Sequence, residues 1–222
     1  MKQILRILLA GLAMSTVIVC AAQARHDGTA VGTYKEWNGD MDELEIIQTF
    51  NLADYSKVLV LPLDTSATPL PKADDNTFEP VKIVLKSATE IFKKGVTDGL
   101  AKTKVAVEQA EAPVKDAGVI IVRGKVVEME PGSQALRYWI SFGAGQSRTT
   151  VEGEMVDAAT DKVLAKFTHA KSSGIGAFGG DYQKLMTDDA HDVGEDVGKF
   201  IAAFSPAPTP APTPTPTTEP QK

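Results

Sequence analysis

The sequence predicts an α+β domain in two layers: a mainly antiparallel sheet covered by two helices, in the order β-α-β-β-β-β-α. Three observations carry that prediction. Two stretches, 81–102 and 182–204, repeat apolar residues at spacings of three and four with charged residues between them, as helices with one buried face do. Several shorter stretches are rich in Val, Ile and Leu or alternate apolar with polar residues, as strands do. The last three strands are separated only by a tight turn or a Gly-rich segment, which suits antiparallel neighbours. A helix pair on one face of that sheet is the simplest way to bury both apolar stripes.

Taken in order, the chain opens on a segment for export. Lys2 and Arg6 precede an apolar run over 7–19. The run is shorter than the roughly 20 residues of a bilayer span and fits a signal peptide. Ala22-Gln23-Ala24 is a small-x-small cleavage site, so 1–24 is the signal peptide and Arg25 the first mature residue. The rival is a lipoprotein acylated at Cys20, but Val19 stands where such signals want a small residue. Residues 25–54 are expected to be a loosely ordered extension, punctuated by Gly28, Gly32 and Gly39 and anchored by Trp37 and Phe50.

The α/β domain spans 55–204. Residues 57–63 (KVLVLPL) form a buried strand, and the Pro-containing 64–80 a loop. In helix 81–102, Val81, Val84, Leu85, Ala88, Ile91, Phe92, Val96 and Leu100 recur at spacings of three and four and make the inward face, and Pro80 sits near the start, where its missing N–H is harmless. A brief strand follows at 105–107 and a long one at 118–130. Strands 149–156 and 162–170 are joined by Asp157-Ala158-Ala159-Thr160-Asp161, which has hairpin turn chemistry. Met186, Ala190, Val193, Val197, Ile201 and Phe204 are the buried stripe of the last helix. Beyond it, 205–222 holds seven of the thirteen prolines. Alternating proline excludes helix and sheet, leaving a disordered, extended tail.

Composition bounds the function. The 222 residues carry 23 Lys and Arg against 29 Asp and Glu, a formal charge of -6. An acidic chain lacks the cationic surplus that phosphate neutralisation needs, so nucleic acid is not an expected partner. Cleavage after Ala24 removes the single cysteine. The mature chain is then without a disulfide, a thiolate metal site or a cysteine nucleophile.

The segment from Gly132 to Ser147 (GSQALRYWISFGAGQS), then 151–157 and Asp161-Lys162-Val163-Leu164, resembles a family of uncharacterised bacterial exported proteins and lipoproteins. In that family a G-S-x-x-x-R segment runs into G-F-G-x-G, and a D-x-x-T hairpin follows. The resemblance covers about 55–204. Asp161 stands where the family often has Gly. The resemblance implies an envelope location and a shared fold, and no particular chemistry.

Motifs for catalysis are missing: no G-x-S-x-G, H-E-x-x-H, phosphate-binding or EF-hand loop occurs. His191, Glu195 and Asp188 share a helical face and are weak metal candidates, set against the reading of a solvated acidic face. No cofactor is expected. The stronger functional pattern is topological. If strands 118–130, 148–157 and 162–171 are sequential antiparallel neighbours, the segments 131–147 and 172–181 leave one end of the sheet together. The first carries Arg137, Tyr138, Trp139, Phe142, Gly143 and Gly145; the second carries Phe178, with Tyr182 beyond it. Glycines allow close backbone approach, and aromatics supply contact area. Two readings stand: a partner-binding surface, or aromatics that plug the end of the core. The expectation is a non-enzymatic, exported cell-envelope protein of the periplasm, acting as a binding or scaffolding module for an envelope protein or lipid surface. The alternative is a small-ligand or metal-dependent enzyme.

Overall fold

The computed structural model of the protein describes residues 28–132, 146–174 and 181–206. The segment 1–24, expected to be a signal peptide, and all but the first two residues of the expected tail 205–222 lie outside them. Among the described residues, seven strands and two α-helices follow the order β1 (Gly32–Trp37), β2 (Met41–Ile46), β3 (Lys57–Val60), α1 (Phe78–Gly99), β4 (Ala106–Gln109), β5 (Val119–Glu130), β6 (Arg148–Asp157), β7 (Lys162–Lys171) and α2 (Tyr182–Ala202). The strands form one sheet in the order β1-β2-β7-β6-β5-β3-β4. The run from β1 to β5 is antiparallel, whereas β3 pairs in parallel with both β4 and β5. The α+β class and the helix-covered, mainly antiparallel sheet are as expected. The parallel edge follows from α1, which returns the chain from the end of β3 to the start of β4.

The expected loose extension over 25–54 is, over 32–46, a hairpin that adds two strands to the sheet. Asn38 and Gly39 both take positive φ (53° and 75°), and Asp40 N–H closes the turn on the Trp37 carbonyl at 2.9 Å. Both central residues being left-handed is the geometry that matches strand twist. The hairpin was hard to see because its alternation is broken. Glu36 also takes positive φ (51°), so Tyr34 and Trp37, three apart, are both buried. Met41 and Leu44 are likewise three apart and buried.

Apolar periodicity dictates the rest of the core. Val81, Val84, Ala88, Phe92 and Val96 of α1, with Met186, Val193, Val197 and Ile201 of α2, pack on Val122, Val126, Val151 and Met155 of the sheet. Each large side chain buried in this way contributes about 1.5–3 kcal/mol. The helices touch through glycine. A Cβ on Gly95 would lie 2.0 Å from the His191 carbonyl oxygen, and one on Gly194 would lie 2.2 Å from that of Phe92. No side chain fits between the two backbones.

The opposite face of the sheet is polar over much of its area and held by cross-strand pairs: Arg123–Glu154 at 2.7 Å, Lys125–Glu152 at 2.8 Å and Arg148–Glu128 at 3.1 Å. Near β3 that face carries a second apolar cluster, Leu59, Leu61, Val119, Ile121, Val156 and Ala158, all buried.

Candidate functional site at one end of the sheet

β5, β6 and β7 are sequential antiparallel neighbours. Glu130 pairs with Arg148, and Thr149 with Lys171. Residues 132, 146 and 174 therefore leave the sheet at one end, which is the arrangement the topological expectation required. Residues 133–145 and 175–180 lie outside the described residues. That includes Arg137, Tyr138, Trp139, Phe142, Gly143, Gly145 and Phe178. Tyr182 is described: it opens α2, half-buried against the core. A side chain at Gly174 would meet nothing within 4 Å.

The ends of β6 and β7 are joined beneath this end. Ser147 N–H donates to the Ser173 carbonyl at 3.0 Å, and Ser173 N–H donates back to Ser147 Oγ at 3.3 Å. Both hydroxyls then converge on one carboxylate of α2. Ser147 Oγ donates to Asp189 Oδ2 at 2.6 Å and Ser173 Oγ to Asp189 Oδ1 at 2.5 Å. Asp189 is fully buried. Burial pushes its carboxyl above the usual range, the two serine hydroxyls pull it back in part, and the nearby charge of Asp192 adds to the rise. Thr149 Oγ1, on the same face of β6, is buried without a hydrogen-bond partner.

Two turns along α2 sits a second buried carboxylate with a different set of neighbours. Asp196 faces Lys171 at 2.5 Å, Lys199 at 3.1 Å and His169 Nε2 at 3.1 Å. The other ring nitrogen of His169 meets Asp42 Oδ2 at 3.3 Å, and Asp42 also accepts from the Ala170 amide at 2.8 Å. One buried imidazole thus ties β2, β7 and α2 together. Burial alone would raise the Asp196 carboxyl, but the hydrogen bonds from His169, Lys171 and Lys199 outweigh it and bring it down to about 2.

Neither carboxylate lies on a solvated face, the surroundings that the expected acidic face of this helix would give them. Asp189 and Asp196 are seven residues apart and in phase with Met186, Val193 and Phe200, all of them buried. That phase is the signal that would have placed them inward. Ser147 and Ser173 carry no such signal.

The weak metal candidates do stand on the outer side of α2. His191 Nε2 faces Asp98 at 2.8 Å and its Nδ1 faces Asp192 at 3.2 Å. Glu195 pairs with Lys199 at 3.0 Å, and Asp188 pairs with Lys184. The ligand atoms of His191, Asp192 and Glu195 lie within 4.8 Å of one another, with Asp188 outside the group. Each already has an ion-pair or hydrogen-bond partner, so the cluster reads as surface charge pairing across α1 and α2. On the polar face of the sheet a shallow groove of about 470 Å³ is lined by Asp64, Arg123, Lys125, Glu152, Glu154 and Lys166. Its floor and walls carry both signs of charge, with Arg123 and Lys125 paired to the two glutamates. No helix among the described residues is long and apolar enough to cross a membrane.

Residues 58–177 match the family described as Domain of unknown function (DUF4410), and the chain belongs to that family. Among solved structures, the chain is similar to the PelC dodecamer from Paraburkholderia phytofirmans, at 18% identity and a TM-score of 0.42, covering 69% of this chain and 96% of that one. It is also similar to protein XCC0632 from Xanthomonas campestris, at 9% identity and a TM-score of 0.41, covering 72% and 92%. A third similarity is to the hypothetical protein CT253 from Chlamydia trachomatis, at 11% identity and a TM-score of 0.38, covering 67% and 99%. No curated protein matches the chain.

Proposed function

We propose that this DUF4410 protein is a non-enzymatic binding module of the cell envelope, and that it meets its partner at the end of the sheet where 133–145 and 175–180 leave. The observation that carries the reading is the register of β5, β6 and β7, which brings 132, 146 and 174 to one end. The sequence adds Tyr138, Trp139, Phe142 and Phe178 to that end, together with Arg137, Gly143 and Gly145. Aromatic side chains supply contact area at low entropic cost, and contact sites are enriched in them. The buried titratable groups support a binding role over a catalytic one. Asp189, Asp196 and His169 spend their hydrogen-bonding capacity on the chain itself. The partner is an envelope protein or a lipid surface, reached after export by cleavage at Ala24 and release of a mature chain beginning at Arg25. The tail beyond 206 is a spacer.

The test is photo-crosslinking in intact cells. A benzophenone amino acid at Tyr182, beside the proposed contact, should give discrete adducts. The same group at Glu45 or Glu152, on the polar face, should give none. Equal labelling from the polar face, or no adduct from Tyr182, would remove this end of the sheet as the contact. Intact-mass analysis of the released protein should give a chain starting at Arg25. A diacylglyceryl group on Cys20 would make it a lipoprotein instead.

A further inference from the structure

We infer that Asp189 carries its buried charge to hold the roots of the proposed contact end, and not to stabilise the fold. The inference rests on the reading of that end as the binding surface. The two buried carboxylates of α2 provide the contrast. Asp196 is surrounded by two ammonium groups and an imidazole. Its charge is matched, and its removal would strand Lys171 and Lys199. Asp189 has no cation within reach among its described partners. It takes two serine hydroxyls and feels the like charge of Asp192.

A buried charge met only by neutral donors costs desolvation that those donors do not return in full. Asparagine would serve the same geometry without that cost. Its oxygen accepts from one serine, and its amide donates to the lone pairs of the other. A carboxylate where an amide suffices is a local rule broken at a particular place, and such breaks mark functional positions.

What the charge adds is local. Hydrogen bonds from hydroxyl to carboxylate are short and about twice as strong as neutral ones, and lengths of 2.5 and 2.6 Å fall in that class. Asp189 therefore fixes the spacing of residues 147 and 173, from which both Gly-rich segments depart. It is a positioning residue.

The experiment compares the mature protein with D189N and D196N. D189N should unfold at the same or a higher urea midpoint than the parent at pH 7, whereas D196N should unfold earlier. In D189N, hydrogen exchange at the Ser147 and Ser173 amides should accelerate at least tenfold, with exchange in β3 and α1 unchanged. The adduct from a benzophenone at position 182 should fall at least fivefold. A D189N protein that loses stability overturns the inference, because the charge then serves the fold. So does a D189N protein that keeps the parent's exchange and adduct yield. If the parent itself gives no adduct at 182 while D189N still speeds exchange at 147 and 173, the positioning role stands and the binding reading fails.

Discussion

Replacing Gly194 with alanine tests whether the two helices are held together backbone to backbone. The added Cβ would stand 2.2 Å from the Phe92 carbonyl oxygen, 3.0 Å from its carbonyl carbon and 3.2 Å from its Cα. All three atoms are main chain in the middle of α1, so no rotamer can yield. Reaching ordinary contact requires the helices to part by roughly 1 Å. That shift lifts Phe92, Val193 and Val197 from neighbours on which each is now fully buried. Overpacking of this kind costs about 3 kcal/mol when the obstacle is rigid. Alanine returns about 1 kcal/mol of helix propensity. The net loss is about 2 kcal/mol, which lowers the melting temperature by roughly 4–8 °C in a domain of this size. Urea and thermal unfolding of G194A measure it, with the exposed S87A on α1 as the propensity control. If G194A is as stable as the parent, or gains the 1 kcal/mol that propensity alone gives, the helices do not pack as described. The placement of Asp189 and Asp196 over β6 and β7 would then fail with it.

Three further outcomes follow from named contacts. The Asp196 carboxyl falls from 3.8 to about 2 on folding, its burial outweighed by His169, Lys171 and Lys199. A lowered carboxylate stabilises above its unfolded value and loses that contribution as the pH falls through its folded one. D196N should therefore cost about 2 kcal/mol at pH 7 and flatten the loss of stability between about pH 4 and pH 2, as read from urea midpoints across pH; an unchanged acid limb would exclude it. Asp161 takes φ 57° in the β6–β7 turn, a conformation that glycine adopts freely. D161G should be neutral or stabilising by up to about 1 kcal/mol, and a destabilised D161G would mean that the aspartate side chain itself holds the turn. A chain ending at Pro206 should melt within about 1 °C of the mature protein, because an alternating-proline arm supplies no ladder and little burial; a drop of several degrees would show that the arm packs on the domain.

Both helices, the three long strands and their order were legible because each rests on a period the sequence states openly. In α2 the residues Met186, Val193, Val197 and Ile201 recur as a buried stripe must. In β6 and β7 the Asp157–Thr160 turn announces the reversal: Asp157 Oδ1 accepts from the Thr160 amide at 2.8 Å and from its hydroxyl at 2.7 Å. The β1–β2 hairpin escaped for a physical reason. Its Asn38-Gly39 turn is a strong signal, but the left-handed Glu36 shifts the pleat by one residue and hides the alternation on which a strand assignment depends. Asp189 and Asp196 carry two conflicting signals, their charge and their place in the helical period. Residue type said surface, helical phase said core, and phase decided. The serines that justify burying Asp189 come from strand ends 16 and 42 residues away. No local pattern contains that information.

The location of the unmatched charge bears on where this domain acts. On the polar face of the sheet, charges meet opposite charges across neighbouring strands. The helix–helix seam is closed by contact between main chains. Near the β6–β7 turn, the Tyr55 hydroxyl donates to Asp157 at 2.7 Å, and Phe50 stacks on Phe204 with ring centres 4.0 Å apart. These regions satisfy their polar groups and fill their apolar space, so folding accounts for them. Beneath residues 146 and 174 the pattern changes. Among the described residues, Asp189 is buried without a cation and Thr149 Oγ1 without a hydrogen-bond partner. A fold selected for stability alone would place an amide at the first position and an aliphatic side chain at the second, at little steric cost. Both departures fall where the glycine- and aromatic-rich segments leave the sheet. Stability is given up at the same end of the molecule as the proposed contact, and that coincidence is the strongest reason to look for the partner there.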